Sequence, residues 1–255
     1  MRSISLSGLA AVMAVALSAC SGGGPEATPT ATIPPTLTPS PTPVPPEVYA
    51  AAAQQAVQAA LLRVEDLGEG WSPAPPDEDG DFDPQFEGEC AQFNEDAFPG
   101  EIARADSDDF AGPNDREITA DATVFADAAA AEAGVDLFAS FVDNCGGQLE
   151  EEYTRALVEA LEEEDPSISI NNLEIDVTPL FAGSSATGRR AGGSIKVTAN
   201  GQFFEYTIDQ VVIRVGAVVT SATFQFVGQA DLPFEDHIST VLTAKATAAD
   251  ASLPR

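Results

Sequence analysis

Apolar residues recur at helical spacing in four stretches of the chain after residue 46. The pattern predicts helices over residues 47–64, 127–144, 150–164 and 234–249. In the second helix one face collects four residues: Phe138, Phe141, Val142 and Cys145. We therefore expect Cys145 to be buried. Gly146 and Gly147 follow directly and are expected to stop this helix.

Apolar and polar residues alternate elsewhere, which predicts strands at residues 119–124, 173–177, 193–199, 202–214 and 218–227. Asn200-Gly201 is a strong signal for a tight hairpin, and Gly216 is expected to turn the next strand back. The last strands therefore form an antiparallel meander. Helices combined with such a sheet indicate an α+β domain. Trp71 follows the Gly68–Gly70 turn, so we expect it to pack against the first helix.

Residues 1–19 have the layout of a secretory signal peptide, with Arg2 before a short apolar run. The run is too short to cross a bilayer, which takes about 20 apolar residues. Residues 17–20 (LSAC) resemble the bacterial lipobox, whose cysteine is acylated and becomes the new N-terminus. The alternative is an ordinary signal peptide in which Cys20 has no role. We expect acylated Cys20 to hold the protein in the lipid bilayer, on the extracytoplasmic face of the cell membrane.

Residues 20–46 contain a Thr/Pro-rich, almost uncharged segment, PEATPTATIPPTLTPSPTPVPP. Such a composition buries too little apolar surface to fold, so we expect an extended stalk. Three regions result: a signal peptide (1–19), a lipidated stalk (20–46) and a globular domain (47–255).

The net charge of the protein limits the kinds of molecule that it can bind. The chain carries 41 acidic and 11 basic residues, for a net charge of −30. This negative field repels nucleic acid and anionic lipid headgroups, so neither is an expected partner. An envelope ligand or protein remains as the partner, and the sequence does not identify it.

Cys90 and Cys145 are the two cysteines that follow the stalk. An even number in an exported protein predicts a disulfide between them. A metal site or a nucleophilic thiol is the alternative. A zinc site would have too few of its usual ligands, because His237 is the only histidine.

Candidate chemistry is sparse. His237 lies beside Glu235 and Asp236 in the final helix, where a surface position is the simpler interpretation, and no cofactor motif or catalytic residue is identified. Four alternating carboxylates are weak calcium candidates: Asp77, Asp79, Asp81 and Asp83. They lack the glycine and the final glutamate of an EF-hand loop. Two alternatives to a binding role remain. One is a hydrolase that uses a carboxylate pair, and the other is a structural envelope protein.

Several segments together resemble one family. They are residues 61–71, residues 122–127 (ATVFAD) leading into the helix that ends at Cys145, residues 214–219 (RVGAVV) and the closing helix. They are similar to the PknH-like extracellular sensor domain and related exported lipoproteins. The resemblance implies a PsbP-like sandwich of helices and antiparallel sheet, a cleft for a ligand and a non-catalytic sensing role. Val142 stands where that family often has a tryptophan.

Overall fold

An antiparallel sheet of eight strands forms the centre of the domain. The structure is a computed structural model and describes residues 44–74, 86–94, 98–164, 169–180, 186–199 and 202–255. The strands are β1 (Ser72–Pro73), β2 (Glu101–Asp106), β3 (Phe110–Gly112), β4 (Arg116–Phe125), β5 (Ser169–Leu180), β6 (Ala186–Ala199), β7 (Gln202–Val215) and β8 (Val218–Val227).

Strands β5 to β8 form the predicted meander. The sheet order is β1-β3-β4-β8-β7-β6-β5, and β2 pairs with β4 on the edge that β3 also uses. All pairs are antiparallel. The helices are α1 (Pro46–Ala60), α2 (Val64–Leu67), α3 (Ala128–Glu164) and α4 (Leu232–Ser252), with a 3-10 helix at Gly88–Asn94.

Strand residues point alternately to two sides, and helices cover both. On the first side, which we call the α4 face, Ile118, Val211 and Phe224 pack in one core with residues of α1 and α4. On the second side, the α3 face, Val212 and Val219 pack with Ala131 and Val135 of α3. The predicted α+β class, with helices sandwiching an antiparallel sheet, is confirmed.

The first helix is shorter than the sequence predicts. It ends at Ala60, and Leu61 is already extended. Its buried stripe consists of Ala53, Ala56, Val57 and Ala60, whereas Val48 is 50% exposed. The small alanines of this stripe allow the helix to approach its neighbours closely.

The prediction that Gly146-Gly147 stops a helix is wrong, because α3 continues through both glycines and is 37 residues long in total. A glycine inside a helix costs about 1 kcal/mol relative to alanine. Contacts on either side of the pair offset this cost: Cys145 is buried with Phe86 and Cys90, and Phe141 and Leu149 pack against them. Tertiary packing therefore overrides the local preference.

Trp71 packs against the core that contains the buried residues of α1, and its ring stacks on Phe234 of the last helix. The ring centroids are 5.3 Å apart and the planes differ by 8°. A Cβ on Gly112 would clash with the indole, so this glycine leaves room for the ring. The tryptophan thus joins the start of α4 to the β3 edge of the sheet.

Other predictions agree with the structure. Strand β4 spans residues 119–124 with its even-numbered residues buried, and β8 has the predicted bounds. The β7–β8 turn has Gly216 at a φ of 57°, as a tight hairpin requires. Strand β6 begins at Ala186, earlier than predicted, whereas Asn200 and Gly201 lie outside the described residues.

A disulfide joins Cys90 of the 3-10 helix to Cys145 of α3, as predicted for an exported domain. Next to it Gln148 accepts a hydrogen bond from the Glu87 amide at 3.0 Å and donates one to its carbonyl at 3.3 Å. The segment at residues 86–94 is therefore fastened to the middle of α3. Among the described helices, none is long and apolar enough to cross a membrane.

We predict that replacing both Cys90 and Cys145 by serine lowers the free energy of unfolding. The disulfide closes a loop with a sequence separation of 55. Loop-closure entropy gives a loss of roughly 4 kcal/mol for a loop of that order. Denaturant unfolding of the mature domain measures the loss, and wild type unfolded in reductant should show the same decrease. Equal stability with and without the bond would contradict the prediction.

Candidate functional site

A cavity lies between the middle of α3 and the sheet, on the α3 face. Its volume is about 160 Å³. The helix supplies Phe138, Phe141, Val142 and Leu149, and the strands supply Ala191, Gly192, Gly193, Ile208, Gln210 and Thr223. The helical residues are spaced so that they share one face of α3, as the sequence predicts for three of them. That face therefore lines a cavity in addition to packing in the core.

The cavity lies where small residues of β6 face α3. Ala191 and Gly193 are on the α3 side of the strand by alternation, and they fill little of the space there. Toward the start of α3, Val135 packs in the core with Phe125. Within the stretch that lines the cavity, Cys145 ties α3 to the 3-10 helix through the disulfide. The small strand residues therefore leave space beneath this stretch of the helix.

The lining is apolar except at two positions. Gln210 and Thr223 bring an amide and a hydroxyl, and no charged side chain is among the lining residues. An apolar cavity of about 150 Å³ engineered in another protein stays dry and binds benzene. The cavity therefore suits one aromatic ring or a short branched alkyl chain, with one or two hydrogen bonds for a polar group.

A second site, which is polar, lies on the α4 face, where Arg190 of β6 contacts two carboxyl groups. Its Nη2 lies 2.5 Å from Asp209 Oδ2 of β7 and 2.8 Å from Glu235 Oε2 of α4. The carboxyl side chains are 5% and 2% exposed, so both are almost fully withdrawn from water. A Cβ on Gly192 would clash with the Asp209 carboxylate, and the glycine thus provides space for it. We refer to Arg190, Asp209 and Glu235 as the carboxyl–arginine cluster.

The surroundings of Glu235 raise its pKa and so favour its protonated form at neutral pH. Burial, followed by the charge of Asp209, raises the pKa of Glu235 to about 8, although Arg190 acts in the opposite direction. One guanidinium balances one carboxylate, and the proton neutralises the second carboxyl group. The cluster thus ties α4 to the sheet without a net charge.

The carboxyl–arginine cluster does not have the arrangement of a hydrolase pair. Glycosidases hold the reacting bond between two carboxyl groups that are about 5–9.5 Å apart. Here Asp209 and Glu235 share a hydrogen bond and both contact one guanidinium nitrogen of Arg190, and Glu235 lies in the protein interior, so no space for a substrate bond separates them. The geometry favours a structural role for this pair.

Several residues that the sequence suggested for catalysis or metal binding do not form such a site in the described part of the structure. His237 is exposed on α4. Cys90 and Cys145 are joined, so neither is available as a thiol. Cys20 and the calcium candidates Asp77, Asp79, Asp81 and Asp83 lie outside the described residues. Within the described part of the chain, no three His, Cys, Asp or Glu side chains come together as a metal site.

Sequence reasoning missed the carboxyl–arginine cluster. One signal was available: Asp209 follows Thr207 and precedes Val211 at inward-facing positions of a predicted strand. A carboxylate at such a position requires a buried partner. Arg190 precedes residue 193, where this strand was predicted to begin, so the predicted sheet did not place Arg190 beside Asp209.

We predict that Glu235→Gln flattens the pH dependence of stability. Between pH 4.5 and about 8 the folded state keeps the Glu235 proton, whereas the unfolded chain releases it. The wild-type free energy of unfolding therefore falls across this window as pH rises. Denaturant unfolding at several pH values measures the slope, and the variant should lose part of it. Glu69→Gln, at an exposed position, is the matched control, and identical slopes in all three proteins would refute the pKa assignment.

No family description and no curated protein matches the sequence. Among solved structures the chain is similar to the extracellular domain of PknH from Mycobacterium tuberculosis, with 13% sequence identity and a TM-score of 0.44. The similarity covers 77% of this chain and 97% of that domain.

Proposed function

We propose that the domain is a non-catalytic binding module that accepts a small apolar group in the cavity under α3. The cavity itself carries this proposal. It is lined by aromatic and aliphatic side chains, and Gln210 and Thr223 are available to orient a ligand. Binding sites for small molecules have this composition, with mostly apolar walls and few polar groups. A flat surface would instead have favoured a purely structural role.

A binding role is better supported than the hydrolase alternative. The buried carboxyl pair that the structure contains is bridged by Arg190, and the cavity brings no carboxylate to a bound group. General acid–base chemistry needs a titratable group within hydrogen-bond reach of the substrate. Gln210 and Thr223 do not titrate at physiological pH.

We further propose that the module works outside the cell membrane, anchored through acylated Cys20 and a stalk. The support comes from the signal-like residues 1–19, the lipobox-like sequence before Cys20 and the Thr/Pro composition up to residue 46. The Cys90–Cys145 disulfide fits this location, because such bonds persist in oxidising compartments. Ligand binding there would make the protein a sensor or a carrier of the cell envelope.

We predict that the mature domain binds toluene and that Val142→Trp abolishes the binding. The indole would occupy the space that a ring-sized ligand needs, since Val142 lines the cavity. Heteronuclear NMR titration measures binding, and shift changes should centre on lining residues such as Ile208 and Thr223. Val227→Trp is the matched control, because Val227 is 52% exposed at the end of β8. Shift changes elsewhere in wild type, or none, would refute the proposed function even if Val142→Trp failed to fold.

We predict that protein recovered from bacterial membranes begins at Cys20 and carries a diacylglyceryl group. Intact-mass spectrometry measures both features. Cys20→Ala should release the protein from the membrane fraction, because the acylated cysteine is the proposed attachment. Cys90→Ser provides the control for loss of a cysteine elsewhere. An unacylated membrane-bound wild type would contradict the anchor and leave the binding proposal intact.

A further inference from the structure

The cavity cannot accommodate the charged end of a ligand. Its lining contains no charged side chain and only Gln210 and Thr223 as polar ones. Transfer of an unpaired charge into such surroundings is strongly unfavourable. Any charge on the ligand must therefore remain at the mouth, where the surrounding surface decides which sign is tolerated.

The helix above the cavity has a one-sided charge. Between residues 132 and 152, α3 carries six acidic residues and no basic one: Glu132, Asp136, Asp143, Glu150, Glu151 and Glu152. Glu152 follows Leu149 by three residues, which places it on the same helical face as the cavity lining. The negative charge of the helix therefore lies outside the cavity lining, along the same helix that covers the cavity.

Arginines near this helix already face carboxylates. Arg189 of β6 lies 3.7 Å from Asp136, and Arg214 of β7 lies 3.9 Å from Glu132. Arg155 forms an ion pair with Glu152. An anionic ligand would compete with these carboxylates for the arginines and would also experience the net charge of −30.

We propose that the ligand is a small organic cation, whose apolar part of about one ring enters the cavity while its ammonium-type end stays at the acidic surface of α3. This rests on the proposed binding function and adds the class of ligand. The cavity selects for the size of the apolar part, and the charges of α3 select for the sign of the polar end. Anionic amphiphiles, such as fatty acids, are rejected by the same field.

Three probes of nearly equal size test the proposal on the mature domain: benzylamine, benzyl alcohol and benzoate. NMR titration at low salt should give the highest affinity for benzylamine, an intermediate affinity for benzyl alcohol and the lowest affinity for benzoate. The affinities of benzylamine and benzoate should differ by about tenfold or more. The ratio should approach one at about 1 M salt, where the screening length is about 3 Å. A neutral or anionic probe that binds as tightly as benzylamine at low salt would overturn the proposal while confirming the cavity as a site. Failure of all three probes would overturn the binding function as well.

A pair of double variants locates the source of the preference. Glu150→Gln with Glu152→Gln should lower the cation-to-anion affinity ratio severalfold. Glu47→Gln with Glu65→Gln changes the net charge equally on α1 and α2, which are exposed at these positions and belong to the other side of the sheet. This second pair should change the ratio less. Equal effects of the two pairs would refute the role of α3.

Discussion

The sheet must be covered on both sides, and most of the architecture follows from that requirement. Strands β7 and β8 bring apolar residues to each face in alternation, with Ile213 and Phe224 on one side and Val212 and Val219 on the other. Exposure of either set to water would cost roughly 25 cal/mol per Å² of apolar surface. Helices α1 and α4 cover one face and α3 covers the other. At the cavity the coverage by α3 is incomplete.

Incomplete coverage has a physical origin in how α3 is held. Close packing is the normal state of a protein interior, and a helix usually settles until voids disappear. Here the core around Phe125 and Val135 fixes the first part of α3 against the sheet, and the disulfide at Cys145 ties its middle to the 3-10 helix. Beneath the stretch from Phe138 to Leu149, β6 offers only Ala191, Gly192 and Gly193. A straight helix cannot bend to reach such small residues, so the space remains.

The sequence predicted the elements that depend on local periodicity and missed those that depend on tertiary contacts. Strands β4 and β8 were predicted from the alternation of apolar and polar residues. The start of α3 was also predicted closely, and there the Asp127 carboxylate accepts hydrogen bonds from the Ala129 and Ala130 amides. The short strands β1 to β3 were not predicted, since their pairing with each other and with β4 involves few residues of weak pattern. The helical face that lines the cavity was identified as a core face. Whether such a face meets a full core or an empty space depends on residues far along the chain, such as Gly193, and periodicity does not contain that information.

Gly192 and Gly193 lie between the carboxyl–arginine cluster on one face of the sheet and the cavity on the other. Gly192 gives space to Asp209 on the α4 face, whereas Gly193 faces α3, and both residues line the cavity. The cavity and the carboxyl–arginine cluster therefore lie on opposite faces of β6. A ligand that displaced β6 on one face would change the space around Asp209 on the other, and by reciprocity a change at Asp209 would alter the affinity of the cavity. Ligand binding and the proton equilibrium of the cluster would then be two measures of one coupling free energy.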